Sequence, residues 1–317
     1  MWARHGLRGG ARLAFSGSRI QTARLLSSDG AMAQSISLEG CDFHVRTRGE
    51  SGTPVLLMPG AMGTAETDWT HQMVGLSVSH QVVSFDPRGY GKSRPPARRF
   101  PLDYYHRDAA DAVAIMKELG HEQFHVMGWS DGANAAVLLA DAHPEAVRKL
   151  IIFGGNSYIT EEDIEAYEAT RDIETSWSQR MKDTHVPVYG DELQPMWSSF
   201  CDGMKGMFEA GGDICQEQAK GLKCPTLIMG GEKVRHSRPN HTVQAAASPR
   251  CTVSLTSSSC VPWVAHACQD PIVPTFHPHW FHKNIPNAQL YMFPEGKHNI
   301  HIRFADDFNQ IALDFFQ

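Results

Sequence analysis

The pentapeptide Gly128-Trp129-Ser130-Asp131-Gly132 is where residue type and spacing in this sequence could do covalent chemistry. A serine hydroxyl is a weak nucleophile until a base takes its proton. Glycines two residues before and two after Ser130 permit a sharp turn with neighbouring backbone passing close by. If a helix starts at that turn, its first N–H groups point at the oxyanion that forms on attack. The base should be a late histidine. His298, in the run Pro294-Glu295-Gly296-Lys297-His298 after the apolar stretch Leu290-Tyr291-Met292-Phe293, is read in that role. His301 and His282 compete with it, but His301 falls one turn into a C-terminal helical pattern, where packing or surface exposure suits it better. The acid that orients the base should follow the apolar run Thr226-Leu227-Ile228-Met229. Joining Gly231-Glu232-Lys233 directly to Asp270-Pro271-Ile272-Val273-Pro274 gives a compact acid loop, so Asp270 is read as the acid and Glu232 as its understudy.

An oxyanion needs a second donor. Pro59-Gly60-Ala61-Met62-Gly63 follows the first long apolar run, and the backbone N–H of Ala61 or Met62 is expected to act beside that of Asp131. The turn Asp86-Pro87-Arg88-Gly89-Tyr90-Gly91-Lys92-Ser93 is read as structural, since it lacks the spacing of a phosphate-binding loop. Asp131 bears on the substrate. A carboxylate beside the nucleophile opposes the negative charge of the transition state, unless the substrate carries a cation near its scissile carbonyl. An α-ammonium lies two bonds from that carbon. A charged hydrogen bond there is worth about 1.5–3 kcal/mol, on the order of ten- to a hundredfold in specificity. An aspartate at a helix start is also favourable by itself, and the residues alone leave both readings open.

These groups need a scaffold. Continuous apolar runs at 55–58, 82–85, 124–127, 150–153, 226–229 and 290–293 suit strands covered on both faces. Helical periodicity lies between them, as in Ala109, Ala112, Val113 and Met116, and after them in Phe304, Phe308, Ile311, Ala312 and Phe315. The alternation predicts an α/β class with a mostly parallel, doubly wound sheet spanning 35–156 and 222–317, opened by an antiparallel hairpin over 35–48. Residues 157–221 interrupt it with polar and aromatic helical sequence and read as a helical lid. A second interruption, 234–269, contains no Asp or Glu although the chain has 35, and carries Cys251, Cys260 and Cys268 of seven cysteines. It reads as an atypical insert within the core.

Residues 1–34 read as a mitochondrial transit segment: Arg4, Arg8, Arg12, Arg19 and Arg24 lie among Ala, Leu and Ser, and no acid precedes Asp29. The net charge of −6 argues against a nucleic-acid partner, and no apolar stretch is long enough to cross a membrane. Scattered cysteines outline neither a disulfide framework nor a metal site. The expected partner is a small-molecule ester, with no cofactor or metal required and a monomeric chain.

Taken together, Asp86-Pro87-Arg88-Gly89-Tyr90-Gly91, Gly128-Trp129-Ser130-Asp131-Gly132, Asp270-Pro271-Ile272-Val273-Pro274 and Pro294-Glu295-Gly296-Lys297-His298-Asn299 resemble the biphenyl hydrolase-like, or valacyclovir hydrolase, family of the α/β-hydrolase fold. The resemblance runs from about residue 36 to 317. It implies a serine hydrolase of α-amino acid esters, including amino acid ester prodrugs of nucleosides. By the same resemblance Ser130, Asp270 and His298 form the triad, Asp131 binds the substrate α-amino group, and the enzyme is mitochondrial. The family pattern lacks residues 234–269. Val234 requires a GT-initial codon, and Gln269 can be CAG, so a retained intron translated in frame is the hypothesis for this insert. Transcripts joining the Lys233 and Asp270 codons are its test. An isoform impaired by the insert, acting as a scaffold, and a carbon–carbon bond hydrolase of the same fold are the alternative functions.

Overall fold

Six short apolar runs become the parallel part of a nine-stranded sheet in the computed structural model, which describes residues 19–26, 30–232 and 273–317. The strands are β1 (Arg19–Leu26), β2 (Met32–Leu38), β3 (Cys41–Arg48), β4 (Val55–Met58), β5 (Val82–Phe85), β6 (Phe124–Trp129), β7 (Val147–Phe153), β8 (Thr226–Gly231) and β9 (Gln289–Phe293). Their spatial order is β1-β2-β3-β5-β4-β6-β7-β8-β9. Pairing is antiparallel from β1 through β3 to β5 and parallel from β5 to β9. The α/β-hydrolase arrangement expected from the sequence is therefore present.

Successive strand residues face opposite layers, and both layers are apolar. Leu56, Val126, Leu150 and Ile228 pack with α2 (Tyr104–Glu118) and α3 (Asp131–Ala142), whereas Leu57, Met127, Ile151 and Met229 pack with α1 (Thr70–Leu76) and the C-terminal helix. Both sets are almost wholly buried, which is why these runs lack the alternation of a half-exposed strand.

Between β7 and β8 the chain leaves the sheet as α4 (Glu161–Ala169), α5 (Ile173–Ser176), α6 (Gln179–Tyr189), α7 (Leu193–Glu209) and α8 (Gln216–Gly221). Helix α4 starts with a capping box: Thr160 Oγ1 accepts from the Asp163 N–H, and the Asp163 carboxylate accepts from the Thr160 N–H at 2.8 Å. That carboxylate also lies 3.2 and 3.3 Å from Nε2 of His277 in α9 (Phe276–Asn284), and both side chains are fully buried. The pair fastens α4 to the helix that follows the predicted acid loop. The chain ends in α10 (Ile300–Arg303) and α11 (Ala305–Phe316).

Two features differ from the sequence reading. The sheet starts earlier than residue 35: β2 begins at Met32, and Arg19–Leu26, set apart as part of a leader, pairs with it as β1. Basic residues in that stretch hid a strand at the sheet margin. At the other margin, β9 is only half covered, with Tyr291 exposed, because nothing pairs beyond it among the described residues. Asp270 and the 234–269 insert lie outside the described residues.

Candidate active site

Strand β6 delivers Ser130 at its C-terminal end, and α3 starts one residue later. Ser130 has φ 56° and ψ −124°, a left-handed backbone that an L-residue holds only where its surroundings insist. The surroundings are glycines. A Cβ at Gly128 would fall on the Gly132 carbonyl, and one at Gly132 would fall on the Met58 carbonyl of β4. The Ser130 N–H donates to the Phe153 carbonyl at 3.0 Å, tying the turn to β7. Ser130 is partly exposed at the C-terminal edge of the sheet.

His298 is brought to the same rim from the loop after β9. Trp129 Nε1 donates to the His298 carbonyl at 3.2 Å, and the two rings are 5.2 Å apart. Gly154, directly after the carbonyl that holds Ser130, has φ +63° and leaves just enough room for the imidazole: a Cβ there would sit 3.0 Å from His298 Cε1. The backbone thus binds Ser130 through residue 153 and borders His298 through residue 154. His301, its sequence competitor, is wholly buried among Trp69, Trp129, Phe153 and Phe308, and burial holds its pKa well below the usual histidine range. It packs. His282 lies in the last turn of α9.

Although Asp270 is outside the described residues, the chain on either side of it converges on His298. A small cavity is lined by Gly230 and Gly231 from β8, by Val273 and Thr275, and by His298. Glu232, the alternative acid, donates its N–H to the Phe293 carbonyl at 2.8 Å, which fastens the end of β8 to the histidine loop.

The oxyanion loop follows β4. A Cβ at Gly60 would lie 3.1 Å from Ser130 Cβ, so this loop runs beside the nucleophile. The Gly63 N–H donates to the Gly60 carbonyl at 3.0 Å and closes a turn in which Met62 has φ 60°. Behind it, Asp68 accepts from the Gly60 N–H at 3.0 Å and from the Thr67 hydroxyl at 2.7 Å. Burial pushes the Asp68 pKa up to about 7, against those two bonds. The Asp86 turn plays the structural part expected of it. Its carboxylate accepts from the N–H groups of Ala65 and Lys92, and Arg88 grips Asp111 on α2 with two bonds of 2.9 and 2.7 Å.

A family model described as alpha/beta hydrolase fold matches residues 53–305. This chain belongs to the α/β-hydrolase family. Within it, the human serine hydrolase BPHL (Homo sapiens) is 36% identical over 285 residues, covering 89% of this chain and 85% of that protein. The mouse (Mus musculus) serine hydrolase BPHL is 35% identical with the same coverage. These relatives make the chain a biphenyl hydrolase-like serine hydrolase. A meta-cleavage product hydrolase from Pseudomonas fluorescens shares the fold with a TM-score of 0.65 at 21% identity, covering 89% of this chain and 96% of that one.

In this α/β-hydrolase the residue after the serine has unusual company. Tyr104 and Tyr105, from the first turn of α2, donate their hydroxyls to Asp131 Oδ2 and Oδ1 at 3.0 and 2.9 Å. Arg98 lies behind them, paired with Asp108 through bonds of 2.8 and 2.5 Å and stacked over Tyr90 at 4.4 Å. Burial pushes the Asp131 pKa up to about 6, while the two phenols and the Arg98 charge pull it down. Residue 131 as a whole is only partly buried, beside the partly buried Ser130. Sequence reasoning found Asp131 but missed both tyrosines. Adjacent helix positions normally point about 100° apart, so nothing in the spacing of Tyr104 and Tyr105 announces a common target.

Proposed function

We propose that this serine hydrolase cleaves esters of α-amino acids, with amino acid esters of nucleosides among its substrates. The observation that carries the reading is Asp131: a carboxylate adjacent to Ser130, oriented by two phenols that leave each oxygen a lone pair for an incoming ammonium. In the proposed reaction Ser130 Oγ attacks the ester carbonyl carbon while His298 takes its proton. The N–H groups of Asp131 and of Ala61 or Met62 stabilise the resulting oxyanion. His298 then passes the proton to the departing alcohol oxygen, leaving an acyl-enzyme. Water attacks that acyl group, again giving its proton to His298, and the amino acid leaves as Ser130 regains its hydrogen. Asp270 holds the imidazole in its working orientation. The names of the BPHL relatives support serine chemistry, and the Arg-rich leader supports delivery to mitochondria, which a fusion of residues 1–34 to a fluorescent reporter would check.

The decisive experiment compares paired esters that differ only in the α-amino group. Asp131→Asn should reduce the preference for the amino ester about ten- to a hundredfold while changing the rate on its deamino partner much less. A preference that survives this substitution removes the substrate reading. Turnover of a meta-cleavage product in place of esters would favour carbon–carbon bond hydrolysis instead. No turnover of either by intact protein would favour the scaffold.

A further inference from the structure

The oxyanion turn is held from behind by the lid. Tyr189, the last residue of α6, donates its hydroxyl to the Met62 carbonyl at 2.9 Å and accepts from the Gly91 N–H at 3.3 Å. One phenol oxygen therefore joins the lid, the oxyanion loop and the Asp86 turn. Its ring is itself clamped. The Arg94 guanidinium lies 4.9 Å over its face, and Tyr90 meets it edge-on at 6.3 Å. Arg94 also donates to the carbonyls of Gly91 and Val188, each at 2.9 Å, and pairs with Glu192. One helical turn before Tyr189, on the same face of α6, His185 faces the Met62 backbone.

Met62 needs this support. A four-residue turn with positive φ at its third position normally carries glycine there, and it relaxes by flipping the peptide between its second and third residues. Here that peptide joins Ala61 to Met62; the Met62 carbonyl belongs to the following peptide, so Tyr189 seats the turn as a whole and does not by itself bar the flip. Met62 is fully buried and holds φ 60° without being glycine.

We propose that Tyr189 is a positioning residue for hydrolysis: its hydroxyl anchors the Met62 carbonyl and so seats the oxyanion turn beside Ser130, and the turn is held there only when α6 is docked. The inference rests on the serine-hydrolase site described above and adds a lid residue to its machinery.

The test compares full-length wild type, Ser130→Ala and Tyr189→Phe on one amino ester, with phenylboronic acid as a tetrahedral mimic. Phenylalanine keeps the ring that Arg94 and Tyr90 clamp. Tyr189→Phe is expected to lose at least tenfold in kcat with KM within twofold, where complete loss of one oxyanion donor is worth roughly a hundred- to a thousandfold. Boronate affinity should fall in parallel with kcat. Should Tyr189→Phe fail to fold, Arg94→Met unclamps the ring and is read by the same two measurements. Wild-type kcat and boronate affinity in a folded variant would overturn the inference alone. Turnover by Ser130→Ala would overturn the reading of the site together with it.

Discussion

The two halves of the candidate site are built differently. The nucleophile half sits at the centre of the sheet, where β4, β6 and β7 are buried on both faces and its two non-glycine residues of positive φ are tied to neighbours: Ser130 by the Phe153 carbonyl, Met62 by the Tyr189 hydroxyl. The histidine half sits toward the margin, on the loop after the half-exposed β9, and β8 beside it is the last described strand before residues 234–269 in the sequence. Strain needed for chemistry is kept where packing can enforce it. What differs between the halves is how much backbone freedom the catalytic geometry can tolerate.

Substitutions can break this contrast or sharpen it. The largest effect belongs to the central half: Ser130→Ala should lower kcat by about four to six orders of magnitude while leaving the thermal melt near wild type, measured on an amino ester. On the marginal half, Asp270→Asn should cost about ten-thousandfold in kcat, and Glu232→Gln only a few-fold, which decides between the two acids. Equal losses from both would mean the insert has displaced the acid. Smaller still is a pH effect at Asp131. A carboxylate with its pKa raised to about 6 is charged above that pH and protonates below it. The ratio of amino-ester to deamino-ester kcat/KM should therefore fall as pH drops through about 6, a comparison in which titration of the shared base cancels. The smallest effect expected is on stability. Removing 234–269 should change the unfolding free energy by roughly 1 kcal/mol or less, by chemical denaturation, because closing a longer loop costs only about 0.6 kcal/mol per doubling. A large gain would show that the marginal half is under strain.

The central half was also the more legible in the sequence. Its strands are continuous apolar runs because helices cover both faces, and its elbow is a motif whose glycines are demanded by close backbone contacts. His298 could be nominated because it follows the last apolar run. The supporting groups could not. Asp68 looks in sequence like any polar loop residue, yet it is buried against the Gly60 N–H. Tyr189 touches Met62 across 127 positions of sequence, and no local period encodes that meeting. Strand β1 was concealed by its arginines, since a strand that among the described residues pairs on one side only need not be apolar.

The buried meeting of Asp163 with His277 has a consequence for how the cleft opens. Lifting α4 away from α9 would leave a carboxylate in the interior with one partner fewer, a cost of several kcal/mol at the outset. That flank of the canopy is the fixed jamb. Loosening of the canopy is easier on the opposite side, where α6 rests on the Arg94 and Tyr189 contacts.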